Sequence, residues 1–284
     1  MDPSMKVIFD LFHQPQGELT EEGIQRRNKE GKDAAESREL GQQCLNDGDY
    51  DAAVKHFRRA AEQRDADDPT HLLDLADALT FGDELPAAYK NFERALRIKE
   101  SAEPHLGLGD ICKRYGRYRD AIEHLQRAID LEPEQPQNHF KLAETLAELG
   151  EKKRALQAIQ YAIALKPDES FYHFWTAELL ARMGRVDEAL ESYRAAIELS
   201  PGDDHLYLRA AVAFWRAKKV IEAVKAIRLA SDLDPDKLIY RGFLAIMLDR
   251  DGRPAEAEPE KKLANKMDAY DRDLLNRIIK EIDG

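Results

Sequence analysis

The chain has 284 residues, 35% of them charged, with a formal net charge of −12 and only two cysteines, Cys44 and Cys112. A surplus of carboxylates disfavours nucleic acid and anionic lipid, which both demand an excess of Lys and Arg. Cys44 and Cys112, held roughly 20 Å apart by the repeat between them, are beyond the about 7 Å of a disulfide and are expected as small core residues. No stretch reaches the roughly 20 apolar residues of a membrane span, so membrane insertion is not expected and a cytoplasmic location is the default.

Residues 1–33 stand apart as an N-terminal extension. Val7 to Phe12 is apolar, Gln14-Pro15-Gln16-Gly17 breaks the chain, and Glu18 to Asp33 is mostly charged. The apolar run is too short and too acidic for a secretory leader. Thr20-Glu21-Glu22 reads as the start of a short helix. The apolar run either folds back on its own neighbour or frays, with docking on another molecule as the alternative.

From residue 34 onward a beat of 34 residues takes over. Gly-Asp-Tyr-Asp-Ala-Ala (48–53), Gly-Arg-Tyr-Arg-Asp-Ala (116–121), Gly-Glu-Lys-Lys-Arg-Ala (150–155) and Gly-Arg-Val-Asp-Glu-Ala (184–189) are variants of one phrase. Leu-Glu-Pro (131–133), Leu-Lys-Pro (165–167), Leu-Ser-Pro (199–201) and Leu-Asp-Pro (233–235) recur in the same rhythm. A period of this size marks stacked supersecondary units, because one unit cannot bury its apolar face alone. The units are 34–67, 69–101, 102–135, 136–169, 170–203, 204–237 and a degenerate 238–268.

Each unit reads as two antiparallel helices. In 102–135 the first helix carries Leu108, Gly109 and Cys112 on one stripe, Gly116 ends it at a left-handed cap, and the second helix aligns Ala121, Leu125 and Ala128 before Pro133 stops it. Small residues recur at position 8 (Gly41, Ala76, Gly109, Ala143, Ala177, Ala211, Ala245) and at position 20 (Ala53, Ala88, Ala121, Ala155, Ala189, Ala223, Ala257). Close helix approach needs small side chains at the crossing, with Phe57, Phe92, Leu125, Ile159, Tyr193 and Ile227 filling between. Lys218 stands where five other units have Gly48, Gly116, Gly150, Gly184 or Gly252. Pro259 removes a helical hydrogen bond, so the last second helix is expected to kink or start late. In 269–284, Leu274, Leu275, Ile278, Ile279 and Ile282 form the stripe of a C-terminal capping helix.

This pattern, over about residues 34–268, resembles the tetratricopeptide repeat (TPR) family: a small residue at 8, Gly at 15, Ala at 20, a large apolar residue at 24, Ala at 27 and Pro at 32. The resemblance implies an all-α, right-handed α-solenoid, a superhelix of antiparallel helix pairs. It also implies a non-catalytic scaffold or adaptor for protein–protein interaction, with no cofactor. No phosphate-cradling glycine loop, Gly-x-Ser-x-Gly, His-Glu-x-x-His or Cys-x-x-Cys occurs. His105, His139 and His173 share position 4 in successive units, roughly 10 Å apart, too far to meet on one ion. They are expected to pack.

In TPR proteins the first helices line the concave surface. Positions 2, 5, 9, 12 and 13 then give the candidate groove: Phe171 and His205 at 2; Leu73, Leu106, Phe140, Phe174 and Leu208 at 5; Asp77, Asp110, Glu144 and Glu178 at 9; Lys113 and Trp215 at 12; Arg114, Arg182 and Arg216 at 13. Positions 5 and 9 are one turn apart, which sets an apolar ladder beside an acidic one. Either this is a recognition groove for a protein or peptide with apolar and basic residues, or the position-9 carboxylates pair internally with Arg or Lys of the next helix. Acidic residues at these positions would repel a chaperone's C-terminal carboxylate, so that specificity is rejected. The alternative function is a self-assembling scaffold, with the 5–12 segment of one molecule entering another to form a homo-oligomer.

Overall fold

Position 20 is where the helices come closest, and its alanines are sealed off: Ala53, Ala88, Ala121, Ala155, Ala189, Ala223 and Ala257 are all 0% exposed. The computed structural model describes residues 21–62 and 68–283. Residues 1–20, including the apolar 7–12 run and the self-assembly reading built on it, lie outside the described residues. Every described element is a helix.

The chain divides into two units, Met1–Leu131 and Glu132–Gly284. The first contains α1 (Glu21–Asn46), α2 (Tyr50–Glu62), α3 (Thr70–Phe81), α4 (Leu85–Ile98), α5 (Ala102–Arg114) and α6 (Tyr118–Leu131). The second contains α7 (Pro136–Glu148), α8 (Lys152–Leu165), α9 (Ser170–Arg182), α10 (Val186–Leu199), α11 (Asp204–Arg216), α12 (Val220–Leu233), α13 (Leu238–Arg250), α14 (Pro254–Ala264) and α15 (Ala269–Asp283). Within each unit, first and second helices pack as pairs and the pairs stack in an α-solenoid. The short helix expected from Thr20-Glu21-Glu22 is instead the opening of α1, which runs unbroken to Asn46 because no proline interrupts it.

Packing follows the repeat positions. The large residues at position 24 are buried to within 1%, and the small residues at position 8 face them. A Cβ on Gly41 would sit 2.8 Å from the Phe57 ring, so the aromatic there dictates glycine opposite. Cys112 is core, while Cys44 is only half-buried, and both thiols are free.

Two polar devices recur as well. The position-4 histidines do more than fill space. His139 Nε2 lies 2.9 Å from the Pro133 carbonyl, and His173 Nε2 lies 2.8 Å from that of Pro167. The Tyr207 hydroxyl donates to the Pro201 carbonyl at 3.1 Å. A carbonyl can only accept, so each imidazole nitrogen carries its proton there, and each side chain ties the inter-repeat turn to the following helix. His105 differs: its Nδ1 meets Nδ1 of His124 at 3.0 Å. Ion pairs between successive helix pairs form the second device, for example Arg38–Asp74 at 2.5 Å in the first unit and Lys237–Asp204 at 2.7 Å in the second.

The final helices depart from the expectation in a specific way. α14 does not start late. It begins with Pro254 at its first turn, where a missing N–H costs nothing, runs through Pro259, and is short at 11 residues against 14 for α12. α15 then packs on α13 and α11, the first helices of the last two pairs. Gly242 makes room for it, since a Cβ there would lie 2.7 Å from Leu275 Cδ2 and 2.9 Å from Met267 Cε. Leu275 and Ile278 are buried in the same core.

The turn at position 15 is left-handed throughout. Gly48, Gly116, Gly150, Gly184 and Gly252 have φ from +71° to +89°, and Lys218 adopts φ +58°. Its N–H still donates to Trp215 O at 2.8 Å, and that of Lys219 to Phe214 O at 2.9 Å. A left-handed backbone costs an L-residue about 1–2 kcal/mol, partly offset by the extra unfolded-state freedom of glycine. Lys218→Gly should therefore raise stability by about 0.5–1 kcal/mol, read as a higher thermal midpoint. For the turn bond, His173→Phe should cost about 1 kcal/mol, the worth of a typical hydrogen bond. His173→Tyr should be nearly neutral, because Tyr207 already makes that bond in the next repeat; equal losses in both variants would assign the effect to packing.

Candidate functional site

The sequence-derived groove residues fall into both units. In the first, Leu73 is a core residue at 7% exposure, Leu106 is half-buried, and Asp77 and Asp110 are half-buried and engaged by neighbours. Arg114 reaches back to the preceding turn, to Asp83 Oδ1 at 2.5 Å and Thr80 O at 3.2 Å.

In the second unit the positions converge. Phe174, Glu178, Arg182 and Arg216 line one cleft of about 840 Å³. Phe140, Glu144 and Phe171 line a second of about 400 Å³. Leu208, by contrast, belongs to the core at 7% exposure, and Trp215 packs half-buried against it.

The clefts are built of aromatic rings on first helices. α7 supplies Phe140, which meets Phe171 of α9 edge-on at 5.0 Å and Trp175 edge-on at 5.6 Å. Trp175 belongs to the wall of the larger cleft. Phe174, one residue earlier, meets the ring of His205 on α11 at 5.6 Å. Residues 171, 174, 175 and 178 share a face because they are spaced three and four apart. Phe171 is 46% exposed, so part of this aromatic surface is in water.

Charge in the larger cleft is decided by one pair. The Arg209 guanidinium grips Glu178 in a fork, Nε to Oε1 and Nη2 to Oε2, both at 2.7 Å. The Tyr193 hydroxyl donates to the same carboxylate. Burial pushes the Glu178 carboxyl upward, but the hydrogen bonds and charge of Arg209, with Tyr193 and the nearby Arg182, outweigh it and hold the group below its ordinary range. Burial, with the carboxylate alongside, pushes the Tyr193 phenol far up, so it stays a donor. Glu178 thus follows the internal-pairing alternative: its partner sits at position 6 of the next repeat.

Trp175 and Arg209 fall outside the residues that the sequence selects for the groove, whereas His205 stands at position 2 with Phe171. Trp175 and Arg209 occupy position 6, beside position 5 on the same turn. A signal for Arg209 does exist in the sequence: a carboxylate at position 9 with a cation 31 residues on. Among the described residues, no cluster of three His, Cys, Asp or Glu side chains could hold a metal ion, and no helix is long and apolar enough to cross a membrane.

The Glu178–Arg209 pair is mostly buried, with side chains 15% and 21% exposed. Charge-assisted forks of this kind couple by about 1–3 kcal/mol. A double-mutant cycle with Glu178→Gln and Arg209→Gln, followed by thermal melts at pH 7, should return that coupling. The folded carboxyl titrates below its ordinary 4.5, so the contribution is complete above about pH 4.5 and disappears as pH falls through the folded value. The cycle repeated in acid should shrink accordingly.

Comparison with known proteins agrees with this architecture. The tetratricopeptide repeat model matches residues 38–103 and 176–237, and the model for anaphase-promoting complex, cyclosome, subunit 3 matches 114–196. No curated protein matches the chain. Among solved structures, the chain resembles YrrB, described as a TPR protein with an unusual peptide-binding site. The two are 25% identical with a TM-score of 0.52, over 65% of this chain and 95% of YrrB. It resembles TTC0263, a thermophilic TPR protein of Thermus thermophilus, at 28% identity and a TM-score of 0.51, over 64% and 98% of the two chains. The C-terminal part of a TPR repeat-containing protein from Cytophaga hutchinsonii shares the fold at a TM-score of 0.66 and 16% identity, over 82% and 97%. With the repeat phrase, the helix pairs and the matched models in agreement along the array, the chain belongs to the tetratricopeptide repeat family.

Proposed function

We propose that this protein is a non-catalytic interaction scaffold that holds a peptide or helical segment of a partner on the first-helix face of its second unit. The observation that carries the reading is the 840 Å³ cleft walled by Phe174, Trp175 and His205 with arginines beside them. Clefts of this size, mostly apolar with a few convergent polar groups, are the usual form of a binding site, and aromatic residues with Arg dominate binding energies at interfaces.

Two further facts support it. α15, with Leu275 and Ile278 inward, already lies against the first helices α11 and α13, so this face accepts an amphipathic helix of the chain itself. YrrB, the TPR protein with a peptide-binding site, is among the similar structures. The preference for basic ligands expected from position 9 finds no support at this cleft, where Glu178 is neutralised by Arg209. Apolar anchoring is what remains of that expectation.

The test is selection of linear peptides from a displayed library on the full chain, with affinities of the selected peptides measured by fluorescence anisotropy. Trp175→Ala should weaken them by about thirtyfold, the consequence of losing an interfacial anchor worth about 2 kcal/mol. His205→Ala, at an exposed residue that lines the cleft, should weaken them without change in helicity. Selected peptides that bind both variants as well as the parent chain would remove the cleft from the function.

A further inference from the structure

The larger cleft is positively charged inside an acidic protein. Its walls carry three guanidinium groups, Arg182, Arg209 and Arg216, and one carboxylate, Glu178. Arg209 and Glu178 neutralise one another, which leaves a local surplus of two positive charges. Neither Arg182 nor Arg216 makes a side-chain hydrogen bond or ion pair among the described residues, and both are exposed. They occupy position 13 of successive repeats, at the C-terminal ends of α9 and α11, whereas Phe174 and His205 meet near the N-terminal ends of the same helices.

The net charge of −12 does not cancel this. Charges on exposed surfaces are screened beyond about 8 Å at physiological ionic strength, so a docked segment responds to the groups lining the cleft. A guanidinium is weakly hydrated and presents a planar fork that fits a carboxylate in two parallel hydrogen bonds. An aromatic surface that anchors an apolar side chain would bring neighbouring residues of a segment within reach of the two arginines.

Building on the peptide-binding reading above, we propose that this cleft selects a partner segment in which an apolar anchor is flanked by Asp or Glu side chains. A basic segment would meet a lining with a surplus of two positive charges and be rejected, which reverses the charge preference that the position-9 ladder suggests. The competing account is that Arg182 and Arg216 merely stabilise the negative ends of α9 and α11; it requires their removal to affect stability but not ligand choice.

The experiment uses the full chain and peptides built on one apolar anchor in four versions. Three carry amidated C termini with Asp/Glu, Asn/Gln or Lys/Arg flanks. The fourth has neutral flanks and a free C-terminal carboxylate. Acidic flanks should bind about tenfold tighter than neutral ones, as expected for charged hydrogen bonds, and basic flanks more weakly still. In Arg182→Gln/Arg216→Gln, which removes charge from exposed positions, the acidic and neutral versions should converge to within about twofold, with helicity and thermal midpoint retained. At about 0.5 M salt the acidic preference should shrink. The proposal is overturned if neutral or basic flanks bind as well as acidic ones while Trp175→Ala still abolishes binding, or if the acidic preference survives in the double variant. It is overturned too if only the free C terminus gains affinity, which would make the cleft a terminus reader. If no version shows Trp175-dependent binding, the peptide-binding reading itself fails, a result distinct from all of these.

Discussion

The whole array depends on how closely the two helices of each pair can approach. That distance is set at the crossing of positions 8 and 20, where nothing larger than alanine or glycine is present and the position-20 alanines have no exposed surface. Close approach lets the position-24 side chain, from Phe57 to Ile227, fill the space between pairs at native packing density. The same constraint works in reverse at Gly41 and Gly242. Where the facing residue is large, Phe57 in one case and Leu275 in the other, the small residue must be glycine. Because the crossing repeats every 34 residues, side chains one repeat apart are brought onto the same face. The clefts of the second unit inherit their geometry from that regularity.

What the apolar crossing does not determine is the setting of one pair against the next, and here the polar ties matter. The turn carbonyls of Pro133, Pro167 and Pro201 take donors from the following first helices. These carbonyls lie at exposed turns, so each bond adds the modest worth of a typical hydrogen bond while tying the turn to the helix that follows it. The Glu178–Arg209 fork acts in the same direction on the cleft side. A buried ion pair is weak evidence of net stabilisation, because desolvation offsets much of its attraction. Its clearer consequence is specificity of arrangement: it ties α9 to α11 in the wall of the larger cleft, in the same pair of helices whose Phe174 and His205 rings meet.

The helical repeat is legible in the sequence because the signal is redundant. A glycine at position 15 states a left-handed turn, and five copies in phase leave little room for another reading; Lys218 shows that the turn persists even where the residue is unfavourable. The site is less legible, because a repeat alignment assigns faces but not partners. Leu208 and Phe174 share position 5, yet Leu208 is core and Phe174 forms a cleft wall. The difference lies in what the next helix places opposite, which periodicity does not encode. The course of α14 illustrates a related limit. Pro259 argues for a disturbed helix, but Pro254 provides a good start, and the two effects shorten the helix rather than delay it. The family pattern, usually apolar at position 4, assigns His139 and His173 to packing. Their actual partner is a backbone carbonyl six residues earlier, a contact that depends on the turn's conformation and not on residue type.

The charge of the cleft shows why a tally of ionisable residues is a poor guide to recognition. Counted along position 9, the second unit presents Glu144 and Glu178 and looks acidic. Counted in space, the carboxylate of the larger cleft is already matched, and the decisive groups are the cations left over. Pairing subtracts charges two at a time, so the sign of a site is set by whichever groups have no partner, however few they are. Position 13 supplies those groups at the C-terminal ends of α9 and α11, where neither takes a side-chain hydrogen bond or ion pair among the described residues, although Arg182 lies near enough to help hold the Glu178 carboxylate ionised. A protein with an excess of carboxylates can therefore present a binding surface of the opposite sign, provided that its internal pairs are arranged to leave arginine unmatched beside an aromatic wall.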